Sequence, residues 1–195
     1  VAILHSLLTL CLPKGSMNDS VGDMRVSVVA DEPNGTYFVG SPVLLQIVVH
    51  NQNEISYIAR KPHVANCEPE IHVFISSDAQ TFRKYSPGIY DILELESSPE
   101  SLRSDGRWRF NLTVHYTRSG PNGLVFESPG TYWVKVRFPL FDIGNFGGHS
   151  GRTEIESNVI QIKVNEPTGA DAKVWNRIRG REFAYFLQSG YLREG

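Results

Sequence analysis

The sequence predicts a mainly β chain: an antiparallel two-sheet sandwich closed by a short C-terminal helical segment. Three observations predict it. WRFNLTVHY (residues 108–116) and TYWVKVRF (131–138) alternate apolar and polar residues with period two, the pattern of strands with one face on a core and the other toward water. Turn dipeptides recur between such runs, at Asn34-Gly35, Asp105-Gly106, Asn122-Gly123 and Pro129-Gly130. After Val164 the alternation stops and apolar residues recur at helical spacing. About seven to nine short strands at this spacing fit a sandwich better than a parallel α/β fold.

The elements follow in order. In MRVSVVA (24–30), Met24, Val26 and Val28 face inward. PVLLQIVVHN (42–51) is apolar on both faces and reads as a central strand covered on both sides. EIHVFIS (70–76) turns Ile71, Val73 and Ile75 inward. In 108–116 the inward set is Trp108, Phe110, Leu112, Val114 and Tyr116; Arg109, Asn111, Thr113 and His115 point out. In 131–138, Tyr132, Val134, Val136 and Phe138 point in, while Trp133, Lys135 and Arg137 point out. SNVIQIKV (157–164) contributes Ile160, Ile162 and Val164 to the core. Shorter strands are expected near 55–59, 81–85 and 124–127. Two stretches, 86–107 and 139–152, lack strand character apart from the run IYDILEL; the second contains GNFGGHSG and reads as a long loop.

The C-terminal segment has its own grammar. Thr168 or Asp171 can cap a helix, with Val174, Trp175 and Ile178 on one stripe, Gly180 as a break, and Phe183, Phe186 and Leu187 on a second stripe. An isolated helix this short is marginal in water, so the stripes need a partner. That partner is the sandwich, a further domain, or a second copy, with self-association through Val174, Trp175, Ile178, Phe183 and Phe186. At the other end, VAILHSLLTLCLPKGS is too short to cross a bilayer and resembles the apolar core of a secretory signal peptide. The expected organisation is a signal-peptide remnant (1–16), a sandwich (23–165), and a helical tail or the start of a further domain (166–195). The expected location is secreted or periplasmic, or at the cell surface. With Cys11 in the leader, Cys67 would be left without a pairing partner.

Chemistry is sparsely signalled. A net charge of −2 argues against a binder driven by phosphate neutralisation. His63, Cys67 and His72, with Glu68 and Glu70 nearby, match no closed zinc spacing, so no metal is expected. No G-x-S-x-G elbow occurs, and His149-Ser150-Gly151 is only a loop tripeptide. The carboxylate pairs Glu94/Glu96 and Glu154/Glu156 have no substrate-stacking aromatic beside them. A strand, not a helix, follows the glycine-rich loop, so it is no phosphate cradle. The chain is therefore expected to be neither an enzyme nor a cofactor carrier, and nucleic acid is not an expected partner. The candidate partner-binding residues are Trp133, on an otherwise polar strand face, and Phe141, Phe146 and His149 in the long loop. The sequence favours cover of Trp133 by the helical tail, with Trp175 stacking nearby, because the tail's stripe needs a surface.

Three stretches together carry a resemblance. TYFVGSPVLLQIVVHNQNEISY, FESPGTYWVKVRF and ESNVIQIKVNEP occur in the order in which similar motifs appear in bacterial extracytoplasmic sandwich domains of immunoglobulin-like or fibronectin-like type. The similarity covers about residues 36–167. It implies an immunoglobulin-like sandwich acting as a non-catalytic binding or accessory module of an exported bacterial protein, recognising a protein or glycan through its end loops. The alternative is a sandwich-type protease inhibitor that presents the 139–152 loop to an active-site cleft; such a loop would have to be rigid and extended.

Overall fold

The computed structural model describes residues 23–32, 34–54, 56–60, 70–87, 99–117, 123–141 and 152–189. Among them are eleven strands: β1 (Met24–Ala30), β2 (Thr36–Phe38), β3 (Val43–Asn51), β4 (Tyr57–Arg60), β5 (His72–Ser76), β6 (Arg83–Lys84), β7 (Pro99–Leu102), β8 (Arg107–Val114), β9 (Gly130–Phe141), β10 (Arg152–Glu156) and β11 (Ile160–Asn165). Two helices follow, α1 (Gly169–Ile178) and α2 (Arg181–Ser189). One sheet has the order β1-β3-β8; the larger has the order β2-β11-β9-β5-β6, with β10 also paired to β9; β4 and β7 form a separate ribbon. All pairings are antiparallel except β2 with β11.

The two large sheets face each other across the expected residues. Val28, Val43, Leu45, Ile47 and Val49 on one side meet Val134, Val136, Phe138 and Ile162 on the other, all essentially sealed from solvent. Phe138 packs across the layers against Trp108 and Phe110, at centroid distances of 6.5 and 5.6 Å. The period-two reading of β1, β8, β9 and β11 holds in register, but Tyr132 and Ile160, expected in the core, are only half-buried at the starts of β9 and β11. β3 is central in its sheet, but only its Val43-to-Val49 face is fully buried; Leu44, Val48 and His50 are half-covered and Gln46 is exposed, so it is not covered on both sides. On β5, Ile71 and Val73 are buried as expected, whereas Ile75 is only half-buried.

β9 is the spine of the larger sheet. Its first half pairs with β11 (Ile160 opposite Val134) and its second half with β10 (Ile155 opposite Phe138), both along the same edge. The strand character lost from 139–152 in the sequence reading is thus partly present: β9 runs through Pro139 and Leu140 to Phe141, and Arg152 begins β10. Between β10 and β11 the chain crosses at Ser157–Val159. Ser157 Oγ accepts the Val136 N–H (2.9 Å), and the Asn158 amide both accepts the Val28 N–H (2.9 Å) and donates to the Val28 carbonyl (3.1 Å). Asn158 therefore pairs with the free edge of β1 as a neighbouring strand would, and ties the two sheets together.

β7 was not anticipated; its Pro99 sits in a two-stranded ribbon, where a missing N–H is tolerated. Only an isolated bridge, Tyr116 to Leu124, represents the strand expected at 124–127. At the Asp105-Gly106 turn, the Asp105 carboxylate meets His50 Nε2 at 2.6 Å. The IYDILEL run, Cys11, His63, Cys67 and residues 1–16 lie outside the described residues.

The tail is helical with its break at Arg179-Gly180, as expected. Thr168 is the N-cap of α1 but makes no side-chain capping bond. The docking differs from the expected stripes. Val174 (56% exposed) and Ile178 (38% exposed) face solvent, and only Trp175 of that stripe packs on the core. α2 buries Ala184 completely, beside Tyr116 and Leu124, and Tyr185 meets Tyr116 edge-on at 5.4 Å. Phe183 and Phe186 are half-buried. No helix among the described residues is long and apolar enough to cross a membrane.

Candidate functional site

Trp133 stands on the outer face of the larger sheet, half-buried, with Gln161 of β11 on one side in register and Ser76 of β5 on the other. Two residues further along β9, Lys135 holds its ammonium 4.5 Å from the Phe82 ring centroid, and Arg137 lays its guanidinium 4.6 Å from that of Phe74. Both cations reach Glu156 of β10, at 2.9 and 3.0 Å. The Lys135 hydrogen bond is the main cause holding the Glu156 carboxyl below its usual range, and Arg137 adds to it. The face is therefore aromatic with its cations locked in place. This explains why Lys135, expected in water, is largely covered. Such cation–aromatic contacts rigidify the surface around Trp133.

Trp175 does not cover this face. Its ring lies instead over Gly40 at the end of the sandwich: a Cβ built on Gly40 would fall 2.0 Å from the indole Cη2. Gly40 has φ +81°, so both the space and the backbone there demand glycine. Of the remaining candidates, Phe141 closes β9 opposite Arg152, and Phe146 and His149 lie outside the described residues. The four residues are thus not shown to converge on one site.

A second assembly, barely signalled by the residue pattern, forms where the tail meets the sandwich. His115, expected to point outward, is buried. β8 ends at Val114, and the ring turns under α2, with Nε2 2.9 Å from the Gly40 carbonyl and Nδ1 3.1 Å from the Ala184 carbonyl. Burial pushes the imidazole pKa down, against the upward pull of the two carbonyls. A neutral ring has one N–H and donates to one carbonyl at a time.

Beside Trp175 a cavity of about 520 Å3 opens between α1 and the sandwich, walled by Val39, Leu124, Glu127, Glu166, Trp175 and Arg179 among others. Glu127 Oε2 is closed to solvent and has no hydrogen-bond partner among the described residues. Burial raises the nearby Tyr132 phenol pKa, and the Glu127 charge raises it further. Another depression, about 510 Å3, lies along β5 and β6. There Asp78 is already committed to Ser76 Oγ and to the backbone N–H groups of Gln80 and Thr81. Among the described residues no group of three or more His, Cys, Asp or Glu could hold a metal ion.

No family model and no curated protein matches this sequence. Among solved structures, the chain is similar to the sporulation control protein Spo0M from Bacillus subtilis, at 14% identity over 80% of this chain and 55% of that one, with a TM-score of 0.38. It is also similar to the structural-genomics target SoR45, at 7% identity over 73% and 88% of the two chains and a TM-score of 0.42. A third likeness, with a TM-score of 0.33 and 12% identity, is to a β-glucosidase from Listeria innocua, covering 75% of this chain and 17% of that one. The chain thus spans about half the length of Spo0M, and a sixth of the β-glucosidase.

Proposed function

We propose that this chain is a non-catalytic binding or accessory module of an exported bacterial protein, an immunoglobulin-like sandwich that recognises a protein or a glycan, working in the periplasm or outside the cell. The observation that carries the reading is Trp133: a large apolar ring held on the sheet's outer face beside two cations already locked against Phe74, Phe82 and Glu156. A rigid aromatic of this kind anchors partners at low entropic cost, because little remains to be ordered on binding. The helical tail packs at a different place, over Gly40, and leaves that face available. The test is a glycan array and a pull-down from the secreted fraction, each run with the parent and with Trp133→Ala. Loss of at least tenfold in captured signal, with an unchanged melting temperature, supports the reading. Equal capture by the two proteins removes Trp133 from it.

A further inference from the structure

We infer that the partner of the Trp133 face is an acidic glycan, a run of uronic sugars laid across the strands of the larger sheet. The inference rests on the reading of Trp133 as an anchor and names the chemistry of what it anchors. Charge singles out the class. The outward positions of this sheet carry Lys84, Lys135, Arg137 and Lys163 against Glu154 and Glu156, an excess of positive charge in a chain whose net charge is −2. The excess is concentrated. Glu156 is spent on Lys135 and Arg137, and Glu154 lies 3.4 Å from His72, all toward the β10 end of the face. Asp78, past the end of β5, is wrapped by Ser76 Oγ and the N–H groups of Gln80 and Thr81. Lys84 and Lys163 are exposed, and neither enters an ion pair or a hydrogen bond of its side chain among the described residues.

These two lysines stand on opposite sides of Trp133. Lys163 of β11 is in register with Thr131, two residues before Trp133 on β9. Lys84 of β6 is in register with Phe74, which faces Lys135, two residues after Trp133. With strands ~4.8 Å apart and ~3.4 Å per residue, Lys163 lies about 8 Å from Trp133 and Lys84 about 12 Å, on one diagonal roughly 20 Å long. Gln161, exposed and directly opposite Trp133, adds an amide that both donates and accepts hydrogen bonds. A uronic chain has the matching parts: C–H ring faces for the indole, hydroxyls for Gln161, and carboxylates that reach a lysine on either side. An acidic peptide offers the carboxylates without the rings. An open sheet face also suits an extended polymer, which needs no pocket, and its free cations draw a polyanion in before the indole is engaged.

Titration of the whole chain with oligogalacturonate, followed by calorimetry and by the tryptophan indole N–H signals in NMR, tests this. The expected result is saturable binding that shifts the Trp133 signal, assigned with Trp133→Phe, leaves that of Trp175 in place, and weakens as salt is raised. The same oligomer with its carboxylates methyl-esterified should bind at least tenfold more weakly. Lys84→Gln and Lys163→Gln, both at exposed positions, should each lose a few-fold in affinity and together at least tenfold. Lys173→Gln, on α1, should bind like the parent. No binding of oligogalacturonate, an unmoved Trp133 signal, equal binding of the methyl ester, or parent-like affinity in the double lysine variant would each overturn the inference. Oligoglutamate of equal charge that binds as tightly would overturn it in favour of an acidic protein segment. Failure here is distinct from failure of the Trp133 reading: if a neutral glycan or a protein is captured and Trp133→Ala loses it while the double lysine variant keeps it, Trp133 stands as the anchor and the acidic glycan falls.

Discussion

Replacing Gly40 by alanine should undock the tail while sparing the sandwich. Two costs add. Gly40 sits at φ +81°, where a residue with a Cβ is strained by about 1 kcal/mol. The new Cβ would also stand 2.0, 2.2 and 2.7 Å from Cη2, Cζ3 and Cζ2 of Trp175, a rigid ring with no flexible end to yield. The indole must leave its seat, losing roughly 2 kcal/mol of apolar contact. The sum, about 3 kcal/mol, shifts the docking equilibrium on the order of a hundredfold. Native-state hydrogen exchange reads this directly, because local opening is resolved element by element. Amides of α1 and α2 should exchange about a hundredfold faster, with those of β3 and β8 unchanged, and Trp175 emission should shift to the red. Gly169→Ala is the control: its φ is +59°, but nothing lies within 4 Å of its added Cβ, so it should show only the backbone cost of about 1 kcal/mol. Unchanged protection of both helices in Gly40→Ala would refute the idea that Trp175 is the tail's principal anchor.

Two further outcomes follow from the same contacts. His115 has its pKa lowered when docked, chiefly by burial, so the docked state binds fewer protons than the undocked one. Docking is then fully present above the free-histidine value of about 6.5 and weakens as the pH falls through it. Tail exchange rates at pH 7.5 and 5 should show the loss, and His115→Gln should abolish it, separating this ring from His50 and His72, which face Asp105 and Glu154. Asn158→Ala removes both hydrogen bonds to Val28 and leaves that strand edge unmet, a loss of about 2 kcal/mol. For a chain of this size the melting temperature should fall roughly 4–8 °C, and an unchanged value would mean that Asn158 is not the tie between the sheets.

The sandwich was legible because its strands are amphipathic. Burying one face of Val26-Val28, Phe110-Leu112 or Val134-Val136 writes the period into the sequence. What escaped reading depends on distant partners. His115 continues the polar alternation of its strand, and nothing nearby announces Ala184, 69 residues on, as its neighbour. β10 carries Glu154 and Glu156 for one outward-facing edge and only Ile155 for the core, too little apolar signal to distinguish strand from loop. The tail's helices were visible, but the stripe rule overvalued Val174 and Ile178 and missed Ala184, whose small side chain lets α2 approach Tyr116 closely. At the candidate sites, Trp133 stood out as an apolar residue on a polar face. The cavity was invisible, because Val39, Glu127, Glu166 and Arg179 come from four separate stretches that only the docked helix brings together.

The division of β9 between two partners has a consequence for how the chain can vary. β10 and β11 grip separate halves of one edge, and the Ser157 and Asn158 bonds fix the point where one grip hands over to the other. A change in length between Phe141 and Arg152 would be taken up ahead of β10, because the Ser157 and Asn158 bonds and the Glu156 pairs with Lys135 and Arg137 hold β10 in register on the far half of β9. It would not reach Ile160–Asn165, the strand that sets the starting position of the helices. Insertions and deletions in that segment should accordingly be neutral for the tail and its cavity. The chain behaves there like a zip with a fixed stop, free to be recut on one side without loosening the other.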